Sequence, residues 1–295
     1  MSFLAFKVSL TPLFDRDYIF TLVDPLNAGF TMKVTQLRNA TIVLEFDDKV
    51  ILVDPMLAPK GAIPTLKYLT RKRRRNPLVE LPEQASDILP KVTHCLITHC
   101  QKGHFDHLDR AAVKWLRDKE IPIMCSEDDA DFLRKKGLQV QALSLRQGNV
   151  FFRGTIDLIP CLHGRGVVGK MMAHGVGYYI QISGEPTLYI SGDTVLTETI
   201  KRFVLEQQPD VMVVPAGGAL FDVGSEVIMG FDDVMAVSRL ATGTVVANHL
   251  EALDHCPVTR EQLRAEIVRR GEEHRILVPD DGQSMVFSDV RLKVS

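Results

Sequence analysis

The chain of 295 residues is short of several things that would have named a class at once. It has five cysteines, an odd number, scattered as Cys95, Cys100, Cys125, Cys161 and Cys256 with no CxxC pair. That excludes a disulfide framework and reads as reduced thiols in a cytoplasmic protein. No apolar run is long enough to cross a bilayer. The apolar N-terminus is interrupted by Lys7, Asp15, Arg16 and Asp17, and it lacks the n-region, h-region and cleavage site of a signal peptide. Net charge is only -2, without the basic excess of a dedicated nucleic-acid binder. There is no strong internal repeat and no low-complexity linker. Histidine is scarce too, nine in all, yet three of the nine fall in "HCQKGHFDH" at His99, His104 and His107, with Asp106 among them.

What is present is an alternation of β-rich and helical patterns from Met32 onward. "KVTQL", "TIVLEF" and "KVILVDP" read as a strand meander separated by turn residues. "THCLITH", "IPIMCS" and "VQALS" read as strands, with helices at "DHLDRAAVKWLRDK" and at "EDDADFLRKKG", the latter closed by Gly137. The second half repeats the mixture. "VFFRGTIDLIPCLH", "GYYIQIS", "TLYISGDT", "DVMVVPAGG" and "GTVVANH" are strand-like, and "RILVPDDGQSMVF" ends the chain in strands. Helices are expected at "LTETIKRFVLEQQ", "FDDVMAVSRLA" and "TREQLRAEIVRRG", the last with a capping box of Thr259 and Gln262. Two strand-first halves that each acquire helices imply two packed sheets with helices outside, an α/β (α+β) fold. Residues 1–31 form an extension of unassigned role, and 32–295 a single catalytic domain.

Almost every strand stops at a residue able to bind metal: Asp54 after "ILV", His99 after "LIT", His163 after "LIPCL", Asp193 after "LYISG" and His249 after "VVAN". Rigid strands hold such residues where geometry matters. Imidazoles and carboxylates suit zinc, manganese or iron, and there are enough of them for two ions.

These blocks, "LVDP", "THCQKGHFDH", the lone His163, "SGDT" and "ANH", occur in an order that resembles the metallo-β-lactamase superfamily, over roughly Met32 to the C-terminus. "NATIVLEF", "LVDPML", "GDT" and "VPDDGQSMVF" look most like its branch containing L-ascorbate-6-phosphate lactonase and N-acyl-phosphatidylethanolamine phospholipase D. The resemblance implies a four-layer αβ/βα sandwich and two divalent ions, zinc foremost, with manganese or iron as alternatives. It implies that His99, His104 and His163 hold the first ion and Asp106, His107 and His249 the second, with Asp193 bridging and Asp54 orienting the cluster from behind. One departure stands out. Four residues separate His99 from His104 where the family has one. Either Gly103 permits a bulge that restores register, or His99 leaves the shell, with Cys100, Gln101 or nothing in its place.

The expected chemistry is hydrolysis by a metal-activated hydroxide, since a bound ion lowers the pKa of water to about 7. The substrate is a small molecule with an ester, lactone or phosphodiester bond. Asp106 and Asp193 are its catalytic carboxylates, and His255 is the candidate leaving-group acid with Glu251 as runner-up. Arg165 and Lys170, in a glycine-rich stretch after His163, are placed to grip an anionic substrate; a surface turn is the equal alternative. The run "RKRRR", Arg71 to Arg75, reads as a solvated face, and it lacks the interleaved aromatics of a single-strand binder. Two rivals stay open: a nuclease or lipid phosphodiesterase that uses this run, and a non-catalytic binding protein with a degraded metal site.

Overall fold

The computed structural model describes residues 31–288, apart from 70–72, 102, 146, 147, 166–168, 170, 171, 173, 174 and 223. Lys170, Arg71, Lys72 and the first thirty residues of the N-terminal extension therefore lie outside the described residues.

Two seven-stranded sheets face each other. In the first, β1 (Thr31–Arg38), β2 (Thr41–Phe46) and β3 (Lys49–Val53) form an antiparallel meander, followed in parallel by β4 (His94–Ile97), β5 (Ile123–Ser126) and β6 (Val140–Leu143). The second is built the same way. The strands β7 (Asn149–Phe151), β8 (Gly154–Pro160), β9 (Val176–Ile182) and β10 (Leu188–Ile190) run antiparallel, and β11 (Val211–Pro215), β12 (Thr244–Asn248) and β13 (Ile276–Leu277) follow in parallel. The last strand, β14 (Ser284–Ser288), returns to the first sheet and pairs antiparallel with β1.

Alternation along these strands makes three apolar layers. Val34, Leu44, Ile51 and Leu96 meet Ile156, Tyr178, Ile180 and Val213 between the sheets. Outside the first sheet, after the short α1 (Ala85–Ile88), Cys95, Ile97 and Ile123 pack on α2 (Arg110–Asp118) and α3 (Glu127–Arg134) through Ala112, Leu116 and Leu133. Outside the second, Met212, Val214 and Val245 pack on α4 (Glu198–Gln207), α5 (Phe231–Leu240) and α6 (Arg260–Arg270) through Ile200, Val234 and Leu263. The result is the four-layer αβ/βα sandwich. The buried Tyr178 hydroxyl donates to the Ile97 carbonyl at 2.6 Å. A buried hydroxyl without a partner would cost a few kcal/mol, so this bond fixes the end of β4 against the second sheet.

Three expectations are corrected in detail. "VFFRGTIDLIPCLH" is not one strand but the hairpin β7–β8, turned at Phe152, whose φ of 53° breaks the extended run. The strand in "TLYISGDT" stops at Ile190, before the glycine. The helix expected from Asp106 starts only at Arg110, because Asp109 caps it by accepting Ala112 N–H at 2.7 Å. Asp106 and His107 are thereby left in the preceding turn, free to point elsewhere. Asp109 also accepts Ala58 N–H at 2.6 Å, so the motif is stitched to the loop after β3.

Candidate metal centre

Asp54, His99, His163, Asp193 and His249 each lie just past the end of a strand, β3, β4, β8, β10 and β12 respectively. Asp193 turns inward because Gly192 precedes it. Gly192 has φ +63°, and a Cβ there would stand 2.8 Å from the Val176 carbonyl and 3.2 Å from Thr98 Cβ, so only glycine fits.

The side chains converge in two groups: His99, His104 and His163; and Asp106, His107, Asp193 and His249. Within each group the candidate ligand atoms lie within 4.8 Å of one another, and all seven residues are buried. Asp193 Oδ2 stands 3.1 Å from His107 Nε2, 3.4 Å from His249 Nε2 and 3.5 Å from His163 Nε2, so a single oxygen reaches both groups. Asp106 Oδ2 lies 3.3 Å from His249 Nε2 and 3.5 Å from His107 Nε2. Two nitrogen ligands on one tetrahedral zinc, at bond lengths of 2.0–2.1 Å, would be about 3.4 Å apart. The spacing of the cluster fits that requirement. Nε2 of His99 and of His104 are buried with no hydrogen-bond partner, which a purely structural cluster would not tolerate.

The outer nitrogens explain the orientation. Nδ1 of His107 bonds Asp54 Oδ2 at 2.9 Å, Nδ1 of His163 donates to the Val227 carbonyl at 2.9 Å, and Nδ1 of His104 donates to the Gln101 carbonyl. Nδ1 of His99 is 3.0 Å from Thr98 Oγ1, and Nδ1 of His249 is 3.5 Å from Cys256 Sγ. A carbonyl can only accept, so His104 and His163 carry their proton on Nδ1 and turn a lone pair inward. Asp54 is itself held by Thr98 N–H at 2.8 Å and Thr98 Oγ1–H at 2.6 Å.

The stretched spacing after His99 is taken up by a tight turn. His104 N–H bonds the Gln101 carbonyl and Phe105 N–H the Gly103 carbonyl, with Gly103 at φ +88°. The His99 ring consequently lies 4.5, 4.0 and 5.4 Å, centroid to centroid, from those of His104, His107 and His163. Neither neighbour replaces it. Cys100 packs in the apolar layer under α2, and the Gln101 amide donates to the Asp128 carbonyl.

Electrostatics divide the imidazoles. Burial, together with the neighbouring His107 and His104, holds His99 well below the usual histidine range. Burial pushes His107 and His249 the same way but is outweighed by carboxylates, Asp193 foremost, and both are raised well above it. Asp106 and Asp193 are in turn held low against their own burial, Asp106 by His107 and His249 and Asp193 by His249 and His107. The field at this point favours positive charge.

The remaining candidates are placed less simply. His255 is buried beside the cluster, its ring stacked on Phe221 at 5.5 Å, and burial lowers it to about 4. Burial thus favours its neutral form. Glu251 is occupied elsewhere: Oε1 accepts Arg260 N–H at 2.9 Å and Oε2 pairs with the Arg260 guanidinium at 2.7 Å, anchoring the start of α6. Arg165 is exposed and donates to the Leu196 carbonyl at 3.1 Å. Within the basic run, Arg73 lies over the Tyr68 ring and Arg75 donates to the carbonyls of Gly61 and Ala62. Sequence reasoning gave no site role to Asn39 or Val227, which touch His249 and His163, and took Cys256, which also touches His249, for an inert buried thiol. Asn39 was read only as a turn residue, and a backbone carbonyl such as that of Val227 leaves no mark in a sequence.

Residues 33–249 match the family described as the Beta-lactamase superfamily domain. "UPF0173 protein YddR" of Bacillus subtilis (strain 168) is 34% identical over 87% of this chain and 100% of its own length. A "UPF0173 metal-dependent hydrolase" of Azorhizobium caulinodans is 26% identical over 86% of this chain and 99% of its own. Among solved structures, isothiocyanate hydrolase from Delia radicum gut bacteria superposes with a TM-score of 0.79 at 34% identity, covering 88% of this chain and 100% of that one. A possible metal-dependent hydrolase from Veillonella parvula follows at 0.78 and 26%, covering 86% and 98%. With its sandwich, its buried histidine–aspartate cluster and these relatives together, the chain belongs to the metallo-β-lactamase superfamily, in the UPF0173 family of metal-dependent hydrolases.

Proposed function

We propose that the protein hydrolyses a small, largely uncharged molecule at an electrophilic carbon, using two divalent ions. His99, His104 and His163 would hold the first ion, Asp106, His107 and His249 the second, and Asp193 both. The observation that carries this reading is the single Asp193 oxygen within 3.5 Å of imidazole nitrogens from both groups. Bound divalent ions supply a hydroxide nucleophile at neutral pH and polarise the bond under attack. Zinc is the first choice for so histidine-rich a set, with manganese and iron next.

The chain's own residues do the rest. Asp106, held ionised by His107 and His249, orients the attacking water through its carboxylate. Asp54 fixes the His107 ring and, by taking its Nδ1–H, strengthens Nε2 as a donor atom. Met56, Val227 and Cys256, with the partly buried Val79, Phe105 and Phe221, form an apolar cluster that touches His163, His249 and His255.

That cluster supports a carbon electrophile over a phosphodiester, since the cations that touch it, Arg38 and Lys67, already donate to the carbonyls of Val79, Met56 and Phe221. An ester or lactone fits, as in the lactonase-like branch that "NATIVLEF" and "VPDDGQSMVF" resemble. An isothiocyanate fits equally, and a relative at 34% identity carries that name. Water adding to its central carbon, followed by cleavage of the C–N bond, yields an amine and carbonyl sulfide. The five unpaired thiols support residence in a reducing compartment such as the cytoplasm. No helix among the described residues is long and apolar enough to cross a membrane. We assign residues 32–295 to the catalytic domain, whose first strand begins one residue earlier at Thr31, and leave the preceding residues as an extension of unassigned role.

The test is turnover by the metal-loaded protein at pH 7 on benzyl isothiocyanate, p-nitrophenyl acetate, a γ-lactone and bis(p-nitrophenyl) phosphate. Turnover of a carbon substrate, lost by at least about a hundredfold in Asp106→Asn, is expected, as for removal of a group that acts in the transition state. Wild-type rates in Asp106→Asn would falsify the mechanism.

A further inference from the structure

Asn39 sits in the turn between β1 and β2, with no solvent exposure and a left-handed backbone at φ 57°. Its carbonyl accepts the Gln36 amide at 2.9 Å and the His249 backbone N–H at 3.0 Å, so the turn is bound directly to the loop that carries His249. Its side-chain amide lies 3.3 Å from His249 Nε2. From that same nitrogen, Asp106 Oδ2 stands at 3.3 Å and Asp193 Oδ2 at 3.4 Å. Three polar atoms thus surround one inward-facing imidazole nitrogen at a common radius. The other amide atom, Oδ1, is buried with no hydrogen-bond partner.

This arrangement is awkward for an ordinary hydrogen bond. If Nε2 of His249 holds an ion, its lone pair is used and Asn39 loses that acceptor, leaving both ends of a buried carboxamide unpaired at a cost of about 1–3 kcal/mol each. A half-turn about the last side-chain bond exchanges the two amide atoms and puts Oδ1 where Nδ2 now stands. We propose that Asn39 is a further ligand of the second metal subsite, through its carboxamide oxygen. The inference rests on the two-ion reading above.

The consequence is chemical asymmetry. The first subsite draws on three imidazoles and the shared Asp193, a nitrogen-rich set that suits zinc. The second draws on two imidazoles and three oxygen-bearing side chains, Asp106, Asp193 and Asn39. The added neutral oxygen shifts it toward manganese or iron(II), which favour more ligands and more oxygen.

Titration of the chelator-treated protein with Mn²⁺ and separately with Zn²⁺, followed by calorimetry and elemental analysis, tests this. Asn39→Gly deletes the side chain while keeping the left-handed turn and the carbonyl that holds His249. Asn39→Asp keeps an oxygen in place. Two Mn²⁺ bound by wild type, the weaker affinity falling at least about tenfold in Asn39→Gly and recovering in Asn39→Asp, would establish the ligand. Two ions in Asn39→Gly with both affinities unchanged would overturn it, whether or not turnover fell. A thermal melt showing Asn39→Gly folded separates either result from collapse. No uptake of either ion by folded wild type would remove the two-ion reading itself, and Asn39 as a ligand with it.

Discussion

The carboxylate of Asp54 takes the Nδ1–H of His107 at 2.9 Å, although 53 residues separate them in the chain. The other oxygen of Asp54 receives the backbone N–H of Thr98, one residue before His99. One buried side chain therefore orients His107 of one group and holds the residue before His99 of the other. Asp54→Asn keeps the shape and removes the charge. It is expected to weaken ion binding or turnover by about 10–100-fold without changing the fold, as partners of metal ligands do elsewhere. Competitive titration against a chelator gives the affinity, and unchanged binding would show that Asp54 serves the backbone alone.

His99→Ala tests the turn that absorbs the extra residues. Elemental mass spectrometry of the purified variant should show about one ion fewer than wild type, because three imidazoles define the first group. Equal content in both proteins would put His99 outside the shell in solution.

Glu251 and Arg260 make the opposite kind of prediction. The Arg260 guanidinium joins Glu251, Asp281 and the Pro279 carbonyl, and its side chain is 10% exposed. Arg260→Met leaves two carboxylates without their cation and should cost about 3 kcal/mol of stability, read as a lower denaturant midpoint with metal content intact. Glu251→Gln should retain turnover. A large fall in kcat there, with normal stability, would return Glu251 to the reaction.

The thiols should be inert in the native state. Burial pushes Cys125 up to about 12 and Cys95 well above the ordinary range. At pH 8 neither offers appreciable thiolate, the form that reacts. Iodoacetamide at that pH should leave both unmodified until denaturant is added, with peptide mass spectrometry as the readout. Rapid native labelling of Cys125 would mean that the layer under α2 and α3 opens readily.

Much of the cluster was legible because its histidines and aspartates interrupt apolar strands. His163, Asp193 and His249 each follow residues that belong in a core, and a polar residue there needs a reason. The position of His99 was not legible, since a four-residue spacing says nothing about whether the chain doubles back. That depends on Gly103 adopting φ +88° and on two backbone hydrogen bonds. Asn39 was hidden differently. A turn asparagine is ordinary in sequence, and only the docking of the β12 loop onto that turn gives it a second role. The helix boundary at Asp109 failed for a local reason, since Asp106 and Asp109 are equally good caps until the Ala58 amide chooses between them.

The pairing of β14 with β1 has a consequence for how the protein is made. Thr35 and Ser284 share a hydrogen bond at 2.8 Å across 249 residues of chain. On the ribosome, the first sheet thus gains its final strand only after nearly everything else has been synthesised. Until then one edge of β1 is an open template for other chains, and so long-range a closure is slow. The nascent first half is the stage most exposed to aggregation. A chaperone or a low synthesis temperature should raise the yield of active protein more than any change at the metal centre would.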